Sequence, residues 1–139
     1  KIRCYMRIND KIEEIKNYLN ELSSFVPQNF EEYENNFKTK AACERYFEKI
    51  IEAVIDLSFL LVREKSLNKP EDEISVFDIL SNNEFISKVL SDKMKDAKGM
   101  RNILSHEYGS VDDKLVFNAL TEELEKDVTD FLKRIKEHI

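Results

Sequence analysis

The sequence predicts an all-α protein, an up-and-down bundle of four to five helices. Its 139 residues suit one core, so we expect a single helical domain over residues 1–139. Two glycines and two prolines are too few for the many turns of an all-β fold. Charged residues make up 36% of the chain, which is typical of amphipathic helices with solvated outer faces.

Apolar residues at steps of three and four predict the first helix, from about Asn9 to Phe25. Asn9 or Asp10 can cap its start by accepting backbone N–H bonds, and Pro27 ends it. We expect residues 1–5 to be a ragged or non-essential extension, because the helical pattern becomes regular only after them.

The most apolar stretch predicts a central helix from about Thr39 to Lys65, after a loop at residues 28–38 that can include one helical turn. Its apolar residues cover more than one face, so it is central or is also buried by a second chain. Cys43 lies in this pattern and is expected in the core. The helix also carries a stripe of acidic residues, either a solvated face or the rim of a dimer or substrate groove: Glu48, Glu52 and Asp56.

Three more helices follow a linker at residues 66–73. A short one covers Ser75 to Leu80, and a longer one runs from Glu84 to about Ser105. Asp112 or Asp113 can cap the last helix. The connections between these helices are short, which favours a bundle.

Charge and cysteine content limit the classes of function. The net charge of −6 argues against binding nucleic acid over a broad surface, although a small basic site is compatible with it. Two cysteines without metal-ligand spacing indicate reduced thiols, no metal site and no cofactor. Since neither a signal peptide nor a long apolar run is seen, we expect a cytoplasmic protein without a membrane span.

One short segment combines the groups that phosphate chemistry needs: Arg101, Asn102, His106 and Tyr108, followed by Gly109. The planar guanidinium of an arginine matches the oxygens of a phosphate. A histidine can give or take a proton near neutral pH, and RNA carries its own nucleophile in the 2′-hydroxyl. This segment is therefore the candidate catalytic site, and its residues favour a metal-independent route.

Helical geometry complicates this site. Five residues separate Arg101 from His106, which is roughly 140° of rotation on a straight helix, whereas Asn102 and His106 share a face. Either the helix loosens before Gly109 and turns His106 toward Arg101, or two copies of the chain contribute residues to one cleft. The apolar excess of the Thr39–Lys65 stretch favours a homodimer on separate grounds.

The spacing Arg101, four residues, His106, one residue, Tyr108 resembles the R-x4-H-x-Y signature of the HepT family, in the HEPN superfamily of helical ribonucleases. Asn102 matches the polar residue that commonly follows the arginine. Ser105 departs from the family, where a hydrophobic residue is common. The likeness covers roughly residues 6–135 and includes three further features: the apolar Ile50–Leu61 stretch, the Pro70 linker and the helix start Val111–Val116.

The resemblance implies a HEPN-like homodimer with metal-independent endoribonuclease activity on RNA. Arg101 would bind and stabilise the scissile phosphate, His106 would transfer protons, and Asn102 would orient the phosphate or the imidazole. The family's toxins pair with MntA, a minimal nucleotidyltransferase antitoxin, which transfers AMP to the motif tyrosine, here Tyr108. The alternative function is a non-catalytic helical subunit that binds a nucleotidyltransferase and a nucleotide.

Overall fold

The computed structural model describes residues 2–106 and 111–139, and helices dominate both ranges. The helices are α1 (Ile2–Ser23), α2 (Phe30–Asn35), α3 (Phe37–Glu64), α4 (Ser75–Asn82), α5 (Lys88–His106), α6 (Asp113–Asn118) and α7 (Leu124–Lys136). A π-helical segment, Ala119–Glu123, joins α6 to α7, so these form one continuous helix. The all-α prediction is confirmed, with six helices on this count, close to the predicted four to five.

Helix α3 lies at the centre of the bundle, and α1 runs antiparallel to it. Near the start of α1, the Cys4 thiol lies 3.8 Å from the carbonyl oxygen of Leu60, late in α3. Near its end, Glu21 accepts a hydrogen bond from Tyr46, early in α3. The predicted apolar stripe of α1 faces this interface, and its residues are buried: Ile8, Ile12, Ile15, Leu19 and Leu22. Cys43 is buried as predicted, and burial raises the pKa of its thiol to about 11.

The predicted start of the first helix at Asn9 is wrong, because α1 already begins at Ile2. The Asn9 side-chain amide donates to the carbonyl oxygen of Tyr5, 3.0 Å away and one turn earlier. Asn9 is therefore inside the helix and does not cap it. Residues 2–5 are helical. That they are non-essential stays a prediction.

Side-chain caps set the other helix starts. Asn29 and Asn36 accept backbone N–H bonds from Glu32 and Thr39, so the expected loop at residues 28–38 contains the complete short helix α2. The prediction that α5 starts at Glu84 is wrong. Glu84 has a φ of 65° and belongs to the turn after α4, and Ser87 accepts the backbone N–H of Leu90 at the true start.

Helix α6 begins at Asp113, three positions after the undescribed residues 107–110. Asp112 accepts the backbone N–H groups of Lys114 and Leu115, which confirms it as the cap. Asp113 forms an ion pair with Lys40 of α3, with Nζ and Oδ2 2.5 Å apart. This contact fixes the chain to the bundle just after the candidate site. Within the described ranges, every helix is too short or too polar to cross a membrane.

Candidate functional site

The C-terminal half of α5 carries the candidate site and packs against the acidic stripe of α3. Arg101 lies 3.8 Å from Glu52, and one turn later Ser105 donates to Glu48 over 3.2 Å. The partners on α3 are also one turn apart but in reverse order, so the two helices run antiparallel here. Two of the three stripe residues therefore contact the helix that holds the motif.

Arg101 is held mainly by carboxylates. Its Nη2 atom donates to Oε1 of Glu73 over 2.6 Å, and its Nη1 atom faces Glu52. The side chain of Arg101 is only 14% exposed, and its Nε atom is buried without an acceptor among the described residues. Two more cations lie near these acidic residues: Lys98 is 4.0 Å from Glu73, and Arg45 is 3.4 Å from Glu48. The positive charge of the Arg101 guanidinium is therefore balanced within the folded chain by the carboxylates of Glu73 and Glu52.

Glu73 reaches Arg101 from the linker between α3 and α4. Asp72 accepts the backbone N–H of Ser75 over 2.8 Å, and the Ser75 hydroxyl accepts the backbone N–H of Asp72 over 3.1 Å. The bond from the Ser75 backbone lowers the pKa of the Asp72 carboxyl. This reciprocal turn sets the backbone on both sides of Glu73. The Asp-x-x-Ser spacing signals the turn in the sequence, but nothing there indicates the distant contact with Arg101.

His106 and Asn102 have different surroundings from Arg101. His106 is exposed and is the last residue of α5, while Asn102 is half-buried. Since α5 is helical through both Arg101 and His106, no loosening of the described helix turns the imidazole toward the guanidinium. Tyr108, the fourth predicted site residue, lies outside the described residues.

The departure at position 105 has a local explanation. The Ser105 hydroxyl is part-buried and bonds to Glu48, whose carboxylate also faces Arg45. A hydrophobic side chain there would leave Glu48 with one donor fewer. Serine at this position therefore suits the acidic stripe of α3.

A groove lies along α5 beside the site. It has a volume of about 760 Å³ and is bounded by α3, α5 and the α6–α7 helix. Ile103 and Leu115 line it and are 45% and 57% exposed, so apolar surface faces water next to the motif. Across the described part of the chain, no three His, Cys, Asp or Glu side chains are grouped to hold a metal ion.

Comparison with known proteins identifies the family. A family model described as ribonuclease HepT-like matches residues 15–135. The chain belongs to the HepT-like family. It is 26% identical over 114 residues to a tRNA nuclease HepT of Aphanizomenon flos-aquae, covering 82% of this chain and 78% of the relative. It is also 28% identical over 105 residues to an mRNA nuclease HepT of Shewanella oneidensis, covering 76% and 78%.

Solved structures of HEPN toxins share the fold. A toxin–antitoxin complex with AMP-PNP has a chain that superposes with a TM-score of 0.86 at 26% identity, covering 94% of this chain and 97% of that one. A tri-AMPylated Shewanella oneidensis HEPN toxin in complex with its MNT antitoxin gives 0.86 at 27% identity, covering 94% and 96%. The predicted HEPN-like fold and the HepT resemblance are confirmed.

Proposed function

We propose that the chain, as a single HepT-like domain, is a cytoplasmic toxin ribonuclease that cleaves RNA internally without a metal ion. The observation that carries this proposal is the combination of family membership with Arg101 and an exposed His106 at one helix end. The two curated relatives are named as nucleases of tRNA and mRNA, which supports RNA as the substrate class.

In the proposed reaction, the 2′-oxygen of RNA attacks the adjacent phosphorus and the bond to the 5′-oxygen breaks. The proton of the 2′-hydroxyl must leave and the 5′-oxygen must gain one, and His106 is exposed where it can transfer protons. Arg101 would stabilise the charge that develops on the phosphate oxygens. Asn102 would orient the phosphate or the imidazole.

The test is cleavage of end-labelled RNA in excess EDTA. We expect Arg101→Ala and His106→Ala each to reduce kcat/KM by about 10²–10⁴-fold. His138→Ala is the matched control, because it removes the second of the two histidines, which packs edge-on against Phe85 with ring centroids 4.7 Å apart. Unchanged cleavage in both site variants would refute the assignment, and loss of wild-type cleavage in EDTA would refute a metal-independent route.

We propose further that the active form is a homodimer whose cleft takes residues from both chains. Arg101 faces α3 while His106 is exposed at the end of the same helix, so a second chain can supply the missing partner. The exposed Ile103 and Leu115 offer apolar surface beside the site for that chain. Monomers alone in sedimentation at micromolar concentration would contradict this.

Mixing inactive variants tests the shared cleft directly. A dimer of one Arg101→Ala chain and one His106→Ala chain has one intact site if Arg and His come from different chains. Random exchange should therefore restore about a quarter of wild-type activity, from half of the dimers with one of two sites intact. No recovery after demonstrated subunit exchange would place both residues of each site in the same chain.

Regulation is proposed to occur at Tyr108 through an MntA-like nucleotidyltransferase antitoxin. The phenolic oxygen would attack the α-phosphorus of ATP, pyrophosphate would leave, and the phenolic proton would pass to solvent. AMP next to Arg101 and His106 adds a bulky anion where RNA phosphate would bind. Support comes from the AMPylated toxin whose fold this chain shares. Mass spectrometry should find one or more added AMP groups on wild type, and equal addition on Tyr108→Phe would refute the site.

A second candidate function is a non-catalytic helical subunit that binds a nucleotidyltransferase and a nucleotide. The pairing of Arg101 with carboxylates and the net charge of −6 favour it, because neither attracts RNA. The cleavage assay separates the two candidates. A wild-type protein that binds its transferase but leaves RNA intact would support the non-catalytic function.

A further inference from the structure

The contacts of Arg101 restrict how it can bind a phosphate. A guanidinium grips two oxygens either side-on, through Nε and one Nη atom, or end-on, through Nη1 and Nη2. The side-on grip is closed because Nε of Arg101 is buried. The end-on pair remains, but Nη2 already donates to Glu73 over 2.6 Å and Nη1 faces Glu52 at 3.8 Å.

Of these two carboxylates, Glu73 is better placed to move. It belongs to the linker before α4 rather than to α3, and its side chain is 47% exposed. Because the Glu73 side of this ion pair is half-exposed, water and salt screen the attraction and reduce what the pair contributes to folding stability. Its exchange for another anion is therefore inexpensive.

We infer that the Glu73 carboxylate occupies the phosphate-binding end of Arg101 and that RNA must displace it to be cleaved. This inference rests on the proposed ribonuclease function. Glu73 would then compete with the substrate phosphate for Arg101, and this competition would set the affinity of the resting site for anions. Glu73 thereby tunes how readily the site engages RNA, in addition to any modification of Tyr108.

The test compares Glu73→Gln with Glu71→Gln, a matched control that removes the same charge from an exposed position of the same linker. For Glu73→Gln we expect kcat/KM on labelled RNA to rise about 5-fold, mainly through a lower KM. Glu71→Gln should change kcat/KM much less. In an enzyme that cleaves RNA, equal values for the two variants would overturn the inference. A lower kcat with unchanged KM would also overturn it, because Glu73 would then position Arg101 for catalysis.

A second readout does not require RNA. Phenylglyoxal condenses with the guanidinium nitrogens of an arginine, so its rate reports access to Nη1 and Nη2, and mass spectrometry can follow that rate at Arg101 in the wild type and both variants. We expect Arg101 to react about 5-fold faster in Glu73→Gln than in Glu71→Gln. If no variant cleaves RNA but Arg101 reacts faster, the proposed function fails while the occupancy of Arg101 by Glu73 stands. Equal reaction rates would overturn that occupancy whether or not RNA is cleaved.

Discussion

Helix α3 has two contrasting neighbours. Toward α1 it buries a continuous apolar interface, in which Ile8, Ile12 and Ile15 are fully inaccessible to water. Toward the end of α5 it presents Glu48 and Glu52 to Ser105 and Arg101. Apolar burial stabilises the bundle strongly, whereas an ion pair with one water-exposed partner, such as Glu52 with Arg101, contributes less. The first interface therefore carries the fold, and the second holds charged groups that a ligand can rearrange.

The largest expected effect comes from breaking the apolar interface. Ile12→Ala should lower the free energy of unfolding by about 2–5 kcal/mol, because it leaves a cavity between α1 and α3. Urea denaturation measures the change. Ile2→Ala is the control, since Ile2 is 79% exposed and its replacement should cost far less. Equal losses in the two variants would show that α1 does not anchor the bundle.

The next effect concerns the helix start just after the site. Asp112→Ala should cost about 1 kcal/mol of unfolding free energy, because two backbone N–H groups of α6 lose their acceptor. Asp112→Asn should retain most of the stability, since an amide oxygen also accepts these bonds. If thermal denaturation gives both variants the same Tm, below that of wild type, the charge of Asp112 matters and its capping bonds do not.

The apolar α1–α3 interface and the contact of α3 with the end of α5 also differ in how well the sequence predicts them. The spacing of Ile8 to Leu22 predicts the buried face of α1 correctly, because burial follows the helical period. The false cap at Asn9 arises because an asparagine at a helix start and one bonded back inside a helix look alike in sequence. The π-helical segment Ala119–Glu123 has no periodic signature of its own in the apolar pattern.

For the candidate site, the sequence supplies the residue types and their order along α5. The helical period predicts the angle between Arg101 and His106, and the spacing of the acidic residues predicts the stripe on α3. It does not supply Glu73, because the contact joins residues 28 positions apart through a linker. Long-range ion pairs of this kind depend on the packing of α4 and α5, which local patterns do not specify.

In contrast to Ile12→Ala and Asp112→Ala, a substitution in α5 should raise the free energy of unfolding. A methyl group on Gly99 would meet nothing within 4 Å apart from its own helix backbone. Gly99→Ala should therefore stabilise the protein by about 0.5–1 kcal/mol, since alanine loses less backbone entropy in a helix. Calorimetry should show a higher Tm. A lower Tm at high protein concentration would indicate that a second chain packs closely on the groove that Gly99 lines.

The smallest effect is a pH dependence at Glu44, beside the Lys40–Asp113 ion pair. Burial raises the pKa of the Glu44 carboxyl, and Asp113 and Glu48 add to the rise, against the opposing effect of Lys40. The folded state thus binds the proton more tightly than the unfolded state, and stability falls as pH rises from the unfolded pKa through the folded pKa. Glu44→Gln should be more stable than wild type at pH 7 and match it near pH 4. An equal difference at both pH values would contradict this.

The division between a stabilising interior and a reactive helix end is tested most directly by His106→Ala, with RNA cleavage in EDTA and thermal unfolding measured on one preparation. Because His106 is exposed, we expect kcat/KM to fall by about 10²–10⁴-fold while Tm stays within error of wild type. Cleavage at the wild-type rate, or a loss of cleavage that accompanies a large drop in Tm, would contradict the account.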